Sequence, residues 1–275
     1  MGNLLQNREF LASTQYKTAE NVNARWELYK HAVPFVDIHE HGIDALHLSG
    51  TENILDIGCG TARTLQYLRS KNHQGNLAGV DISSKLFEET AGVSRKKKLA
   101  IELFVSSADE LPFTDTSFDI LLSYFMLYHM PNIPQALSEW KRVLKKNGKL
   151  LVATQGADDR PKNKQMMSEL ADFLHAEKPE VFSAPFNMDN GWKQISPYFR
   201  IAHCYIYDGE LRLTDTEPYI HSVESIRHLF NPLPDNSAWE EGMNILRKKV
   251  QSEIVRTGYF FDFMKRGYFI CEKIS

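Results

Sequence analysis

Cysteine is scarce in this chain, and its three examples, Cys59, Cys204 and Cys271, stand far apart without a C-x-x-C pair. That scatter excludes a disulfide framework or a zinc knuckle and points to reduced thiols in a cytoplasmic protein. No apolar run approaches the roughly 18 residues that span a membrane, and no charged, then apolar leader opens the chain, so neither a span nor export is expected. Met1-Gly2 begins as a myristoylation signal does, but Gln6 stands where Ser or Thr is needed. An excess of one charge is missing too. The 32 basic and 35 acidic residues leave a net charge of −3, too weak a field to recruit nucleic acid or an anionic membrane. The trio His39-Glu40-His41 with His47 lacks the spacing of a zinc-protease helix. These histidines read as surface residues on a helix, and no metal is expected. Internal repeats and low-complexity linkers are absent.

What is present suffices for a sizeable core: 275 residues, of which 43% are hydrophobic. The organising stretch is Asn53-Ile54-Leu55-Asp56-Ile57-Gly58-Cys59-Gly60-Thr61. A short apolar run ending in a glycine turn, with Leu65 and Leu68 at helical spacing beyond it, reads as a buried parallel strand turning tightly into a helix. Such a turn presents backbone N–H groups to a ligand, and Asp56 marks the carboxyl edge where open α/β sheets bind.

The unit then repeats. Residues 76–81 form a second strand ending in Asp81, 21 residues beyond Gly60, where a carboxylate can accept hydrogen bonds from both hydroxyls of a ribose. Residues 101–105 form a third strand, followed by Asp109, which suits either an exocyclic amine or a helix cap. Residues 118–123 form a fourth, running into the aromatic stretch Tyr124 to Met130. Asn132, Pro134 and Gln135 mark a helix start, the stripe Ile133, Ala136, Leu137, Trp140, Val143 has helical period, and Asn147-Gly148 marks its end. Residues 149–154 form a fifth strand. Alternation of this kind specifies a parallel sheet with right-handed crossovers, a doubly wound α/β fold.

The flanks are less regular. Residues 1–50 read as a helical arm; its Tyr16 and Arg25 are candidates to close over the pocket. Residues 157–275 read as lid segments and late strands, with an Asp208-Gly209 turn, helices over 216–229 and 239–255, and a hairpin at Lys265-Arg266-Gly267. The expected organisation is an arm over 1–50 and one domain over 51–275, its cofactor-binding core within 51–156.

Five motifs in order, Leu55 to Thr61, Val80-Asp81-Ile82-Ser83, Ala108 to Phe113, Phe118-Asp119 and Arg142 to Gly148, give the chain a specific likeness. It resembles a class I S-adenosylmethionine-dependent methyltransferase over about residues 53–155. Within that class it is similar to the small-molecule branch of quinone C-methyltransferases and natural-product O- and N-methyltransferases. The resemblance implies a Rossmann-like sheet of seven strands, mostly parallel with an antiparallel C-terminal strand. It implies S-adenosyl-L-methionine as cofactor, bordered at its methionine part by Asp56, Gly58, Cys59 and Gly60. By the same likeness Asp81 holds the ribose, Ile82 lies on the adenine face, Ala108 and Asp109 take the adenine edge, and Ser123 and Tyr124 flank the sulfonium. Ala62 replaces the third glycine of the family loop and adds one methyl.

A base is needed where the acceptor must lose a proton. His129 is the imidazole in a family-like position, and an imidazole's ordinary pKa of about 6.5 suits that work. Phe125, Tyr128 and Trp192 are candidate walls for an apolar small-molecule acceptor. Two alternatives belong to other classes: an inert cofactor-binding or scaffold protein of the same fold, and a NAD-dependent oxidoreductase, whose fingerprint needs glycine where Arg63 stands. A base-methylating Asn/Asp-Pro-Pro-Tyr/Phe motif is lacking after the fourth strand, which disfavours nucleic acid as substrate. The acceptor atom and the oligomeric state are not legible in the sequence.

Overall fold

The computed structural model describes residues 4–16 and 18–274, apart from the side chains of Asn21 and Arg25. Among them, one sheet of eight strands carries the fold. In chain order these are β1 (Ala32–Val33), β2 (Ile54–Ile57), β3 (Leu77–Asp81), β4 (Glu102–Val105), β5 (Phe118–Tyr124), β6 (Leu144–Gln155), β7 (Phe199–Leu213) and β8 (Phe260–Lys273). Their spatial order is β1-β7-β8-β6-β5-β2-β3-β4. Strands β2 to β6 pair in parallel, and β8 runs antiparallel to both β6 and β7. Seven of these are the expected strands. The eighth is β1, two residues of the arm that pair antiparallel with Glu210 and Leu211 of β7.

The helices are α1 (Arg8–Phe10), α2 (Ala19–Tyr29), α3 (Ile38–Ala45), α4 (Arg63–Ser70), α5 (Ser84–Lys96), α6 (Ile133–Val143), α7 (Pro161–Phe173), α8 (Gly191–Ile195), α9 (Glu217–Glu224) and α10 (Asn236–Thr257). A wide turn over Leu11–Gln15 links α1 to α2. Alternation along each central strand sends side chains to two cores. Ile54 and Leu122 pack with α3, α4, α7, α9 and α10, whereas Leu55, Ile57, Leu121 and Val152 pack with the α6 stripe and Ile195 of α8. Helix α6 starts as its sequence specifies, with Asn132 Oδ1 accepting from Gln135 N–H at 3.1 Å. It stops earlier than Asn147-Gly148, because Leu144 is already extended and pairs with Phe118.

Two expected turns are strand instead. Gly209 pairs with Met264 inside a continuous β7, and the phenol of Tyr207, its neighbour on the same face, fills the space a Cβ would need. Gly267 lies inside a continuous β8, where a Cβ would meet the carbonyl of Tyr205 on the adjacent strand. Gly267 thus serves close approach of two strands and Gly209 makes room for a side chain; neither serves a reversal. The consequence for the site is geometric. Arg266 pairs with Gln155, the last residue of β6, so Phe260–Lys265 and their partners in β7 extend past the sheet's carboxyl edge. That projecting ribbon carries α7, α9, α10 and the arm, and with them roofs the edge.

Candidate active site

The strand–turn–helix of β2 and α4 builds the floor. Gly58 and Cys59 both donate N–H to Val80 O, at 2.8 and 2.9 Å, drawing the loop onto β3. Gly58 has φ +73°, and a Cβ there would run into Met126, so only glycine fits. Ala62 occupies a left-handed position at φ 54° before α4, at a cost of about 1–2 kcal/mol for an L-residue. Asp81 is clamped at the next strand tip: Oδ2 accepts from Gly60 N–H and Oδ1 from Ser83 N–H, each at 2.9 Å. Its carboxylate is therefore aimed before any ligand arrives.

A cavity of about 610 Å³ opens above this floor, within the range of small-molecule sites. Asp56, Gly58, Cys59, Gly60, Asp81, Ile82 and Ala108 all line it. The carbonyl of Ala108 is fixed by the indole N–H of buried Trp140, at 2.8 Å. Asp109 lies behind that wall. Its carboxylate is held by Arg8 Nη2 and by Ser107 Oγ, both at 2.5 Å, so Ser106 and Ser107 take the cavity surface expected of it.

The arm crosses above the glycine loop. Ser83 Oγ, just after β3, donates to Ala12 O at 3.4 Å, and Tyr16 Oη meets His129 Nε2, just after β5, at 2.7 Å. Since β2 lies between β3 and β5, the segment joining these anchors spans the loop. His129 Nδ1 is 2.8 Å from Leu5 O. A carbonyl can only accept, so Nδ1 carries the proton and Nε2 accepts from the Tyr16 phenol. Arg25 stands on α2, but its side chain lies outside the described residues.

Beyond β5 the lining turns aromatic and basic. Tyr124, Phe125 and Tyr128 line the cavity as expected. Ser123 does not: it is fully buried on the opposite face of β5, because adjacent strand residues alternate. Trp192 stands apart from the cavity as well. It sits half-exposed on α8, in the layer against α6. Phe182 and Trp26 are among the aromatic residues that do.

His39 is no surface histidine. Its ring stacks on Tyr124 with centroids 4.2 Å apart, and its Nδ1 lies 2.9 Å from Thr64 Oγ1. Burial lowers its pKa to about 4; Asp37 opposes the shift, and the cations Arg63 and Arg266 reinforce it. His41 bonds to Tyr268 Oη at 2.8 Å. Arg63 pairs with Asp37 and lies 3.7 Å over the Trp26 ring. Tyr29, Gln155, Arg160 and Arg266 complete this end. The sequence reads His39 and His41 as surface residues, Arg63 only as an obstacle to a nicotinamide fingerprint and Arg266 as part of a hairpin, and assigns none of these residues to the site. Asp37 caps α3 by accepting from His39 N–H at 3.0 Å, which starts the helix at the residue before His39.

Asp56 is the electrostatic feature of the floor. Burial and the neighbouring Asp81 push its carboxyl up to about 7. Burial raises Asp81 as well, against the backbone N–H groups that favour its anion. The clamped acid, the side-chain-free cradle at Gly58 and the Ala108 wall fit an adenosyl sulfonium cofactor. No group of three or more His, Cys, Asp or Glu among the described residues could hold a metal. No described helix is long and apolar enough to cross a membrane.

Residues 55–152 match the family model for a methyltransferase domain. The chain is 28% identical over 159 residues to the demethylmenaquinone methyltransferase of Staphylococcus epidermidis, covering 54% of this chain and 63% of that protein. It is 36% identical over 182 residues to the ubiquinone/menaquinone biosynthesis C-methyltransferase UbiE of Rhizobium etli, covering 65% of this chain and 58% of that protein. The chain thus spans less than two thirds of the length of these curated relatives. The crystal structure of MccD protein superposes with a TM-score of 0.59 at 17% identity, over 88% of this chain and 99% of that one. At that identity the likeness speaks for the fold.

Proposed function

We propose that this chain, whose residues 55–152 match a methyltransferase-domain model, is a class I S-adenosylmethionine-dependent methyltransferase that methylates a small aromatic acceptor held between the glycine loop and the β6–β8 end of the cavity. The observation that carries this reading is the continuity of one cavity from Asp81 and Ala108 to Tyr124, Phe125 and Arg266. A cofactor over β2 to β4 leaves the remainder, beyond β5, for a second molecule beside it. The relatives act on quinone precursors by name, so a quinol-like ring is one acceptor of suitable shape.

S-adenosylmethionine brings a methyl already activated on a sulfonium. The residues here hold, align and dry. Asp81 takes the ribose hydroxyls, and Asp56 lies under the methionine part. Tyr124, Phe125 and Trp26 set the acceptor's plane, and the arm segment excludes water above the loop. Alignment of this kind supplies roughly 7–11 kcal/mol of barrier reduction. The Tyr16–His129 pair stands ready where the acceptor loses a proton.

Purified protein with methyl-labelled cofactor and a panel of small phenols and quinols tests the reading. Labelled organic product with stoichiometric S-adenosylhomocysteine is expected. Cofactor binding without product from any acceptor would support the inert-protein alternative instead.

The Asp56 shift gives an expectation of its own. Below about 7 its carboxyl is neutral and above it anionic, so a sulfonium cation is favoured by raising the pH. Affinity for S-adenosylmethionine should climb between pH 6 and 8, with one linked proton capping the slope at about tenfold per unit. The uncharged thioether of S-adenosylhomocysteine should show a flatter profile in parallel calorimetry. Equal slopes for the two ligands would rule out Asp56 as the group that senses the sulfonium.

A further inference from the structure

We propose that the acceptor carries an anionic group, a carboxylate or its equivalent on an aromatic frame, and that Arg266 and Arg160 receive it. This rests on the methyltransferase reading for the word acceptor, but the anion site stands on its own geometry.

Arg266 is 4% exposed and lines the cavity. A guanidinium offers five N–H donors, yet among the described residues the one hydrogen bond from the Arg266 side chain runs from Nη2 to Met264 Sδ, at 3.6 Å. No carboxylate among the described residues forms an ion pair with it. Its charge rests against the Tyr29 ring, with Cζ 3.8 Å from the centroid, a cation–π contact that offsets only part of the desolvation cost. Arg160 lies against the same ring at 5.5 Å. Its Nε makes no hydrogen bond and is 3.5 Å from Asp159 Oδ2.

The acids nearby are committed elsewhere. Asp159 Oδ1 accepts Lys265 N–H, Asp262 accepts the N–H groups of Lys162 and Asn163, and Asp37 pairs with Arg63. A buried and a half-buried cation thus share one partial counter-ion on the wall of the cavity. A bidentate anion would satisfy the parallel donors that the protein leaves open.

Position separates this site from the cofactor's own carboxylate. Arg266 is on β8, three strands from β2, or roughly 14 Å across the sheet at usual strand spacing. The acids lining the cavity, Asp56, Asp81 and Glu89, belong to β2, β3 and α5. Among the described residues no acid lines the cavity at the β6–β8 end, where Arg160 and Arg266 stand; Arg8, Arg63 and Lys97 line it nearer the acids. The aromatic walls and Gln155, whose Nε2 donates to Tyr29 Oη at 3.4 Å, complete a slot for a flat, acidic molecule.

The test uses benzoate and its neutral counterpart benzamide as probes of the full-length protein, with and without saturating S-adenosylhomocysteine. Benzoate should bind at least tenfold more tightly than benzamide in both conditions. Arg266→Gln should shrink that preference to less than threefold while leaving S-adenosylhomocysteine affinity unchanged. Arg266→Lys, which keeps a point charge without the fork, should retain part of it. Should Arg266→Gln fail to fold, Arg160→Gln carries the same expectation.

Three results would overturn the proposal. The wild-type protein could show no preference for benzoate, or the preference could survive both glutamine variants. Alternatively, benzoate binding could vanish once S-adenosylhomocysteine saturates, which would give the arginines to the cofactor. A protein that prefers benzoate but fails to bind S-adenosylhomocysteine would leave the anion site standing and remove the methyltransferase reading.

Discussion

Replacing His129 by alanine should lower kcat by at least roughly a hundredfold for a hydroxyl or carbon acceptor, with cofactor affinity kept. Loss of a general base typically costs 10²–10⁴-fold. The geometry adds a second participant to what the sequence suggested. With Nδ1–H held by Leu5 O, the accepting Nε2 faces the Tyr16 phenol at 2.7 Å, and both residues line the cavity. The phenol oxygen can take the acceptor's proton as its own passes to the imidazole. Tyr16→Phe should then lose about as much as His129→Ala, and the double variant little more than either, as for groups that act as one unit. Steady-state rates with a confirmed hydroxyl acceptor check this. A His129→Ala enzyme working at near wild-type kcat would leave the histidine as packing for the arm, with alignment as the whole mechanism. An amine acceptor that binds neutral should show only a small loss in the same variants, so the series also reports on acceptor type.

Asp81→Ala should raise the dissociation constant for S-adenosylhomocysteine by at least about tenfold. A hydrogen bond to a charged acceptor contributes roughly 1.5–3 kcal/mol, and two ribose hydroxyls are at stake. The clamp makes the effect larger than ligand contacts alone imply. Asp81 also accepts from Gly60 and Ser83 N–H, so its removal loosens the glycine loop and the start of α5. Asp81→Asn keeps a side-chain acceptor for Gly60 and should fall between the wild type and alanine. Titration calorimetry separates the cases. Unchanged affinity in Asp81→Ala would count decisively against the ribose assignment.

The core of the fold was legible because its determinants are local and periodic. Ile54, Leu55 and Ile57 specify a strand buried on both faces, and the α6 stripe specifies one face of a helix. The spacing from Gly60 to Asp81 follows from one strand–helix–strand repeat. Those patterns dictate β2 to β6 and the loop that lies at their carboxyl edge. Sequence also carried Tyr16 and His129 as separate candidates, but gave no sign that they meet.

Tertiary structure decided the rest. Glycine permits either a turn or a close approach, and nothing beside Gly209 or Gly267 in the chain distinguishes the two. Only the neighbouring strand, bringing Tyr205 O to the Gly267 Cα, makes the second use necessary. Asp109 suits an exocyclic amine or a helix cap in the sequence, and only the fold brings Arg8, 101 residues away, onto its carboxylate. Trp192 reads as a pocket wall until α8 packs on the outer layer. Arg266 reads as part of a basic hairpin until β8 runs straight and buries it against Tyr29. Sequence by itself determined the sheet, the glycine loop and the acids at its edge, because each is fixed by neighbours within a few turns of chain. Which side chains share the acceptor end was decided by strand order and the projecting ribbon, because contacts such as Arg266 on Tyr29 and His39 on Tyr124 join separate elements far apart in the chain and leave no periodic trace.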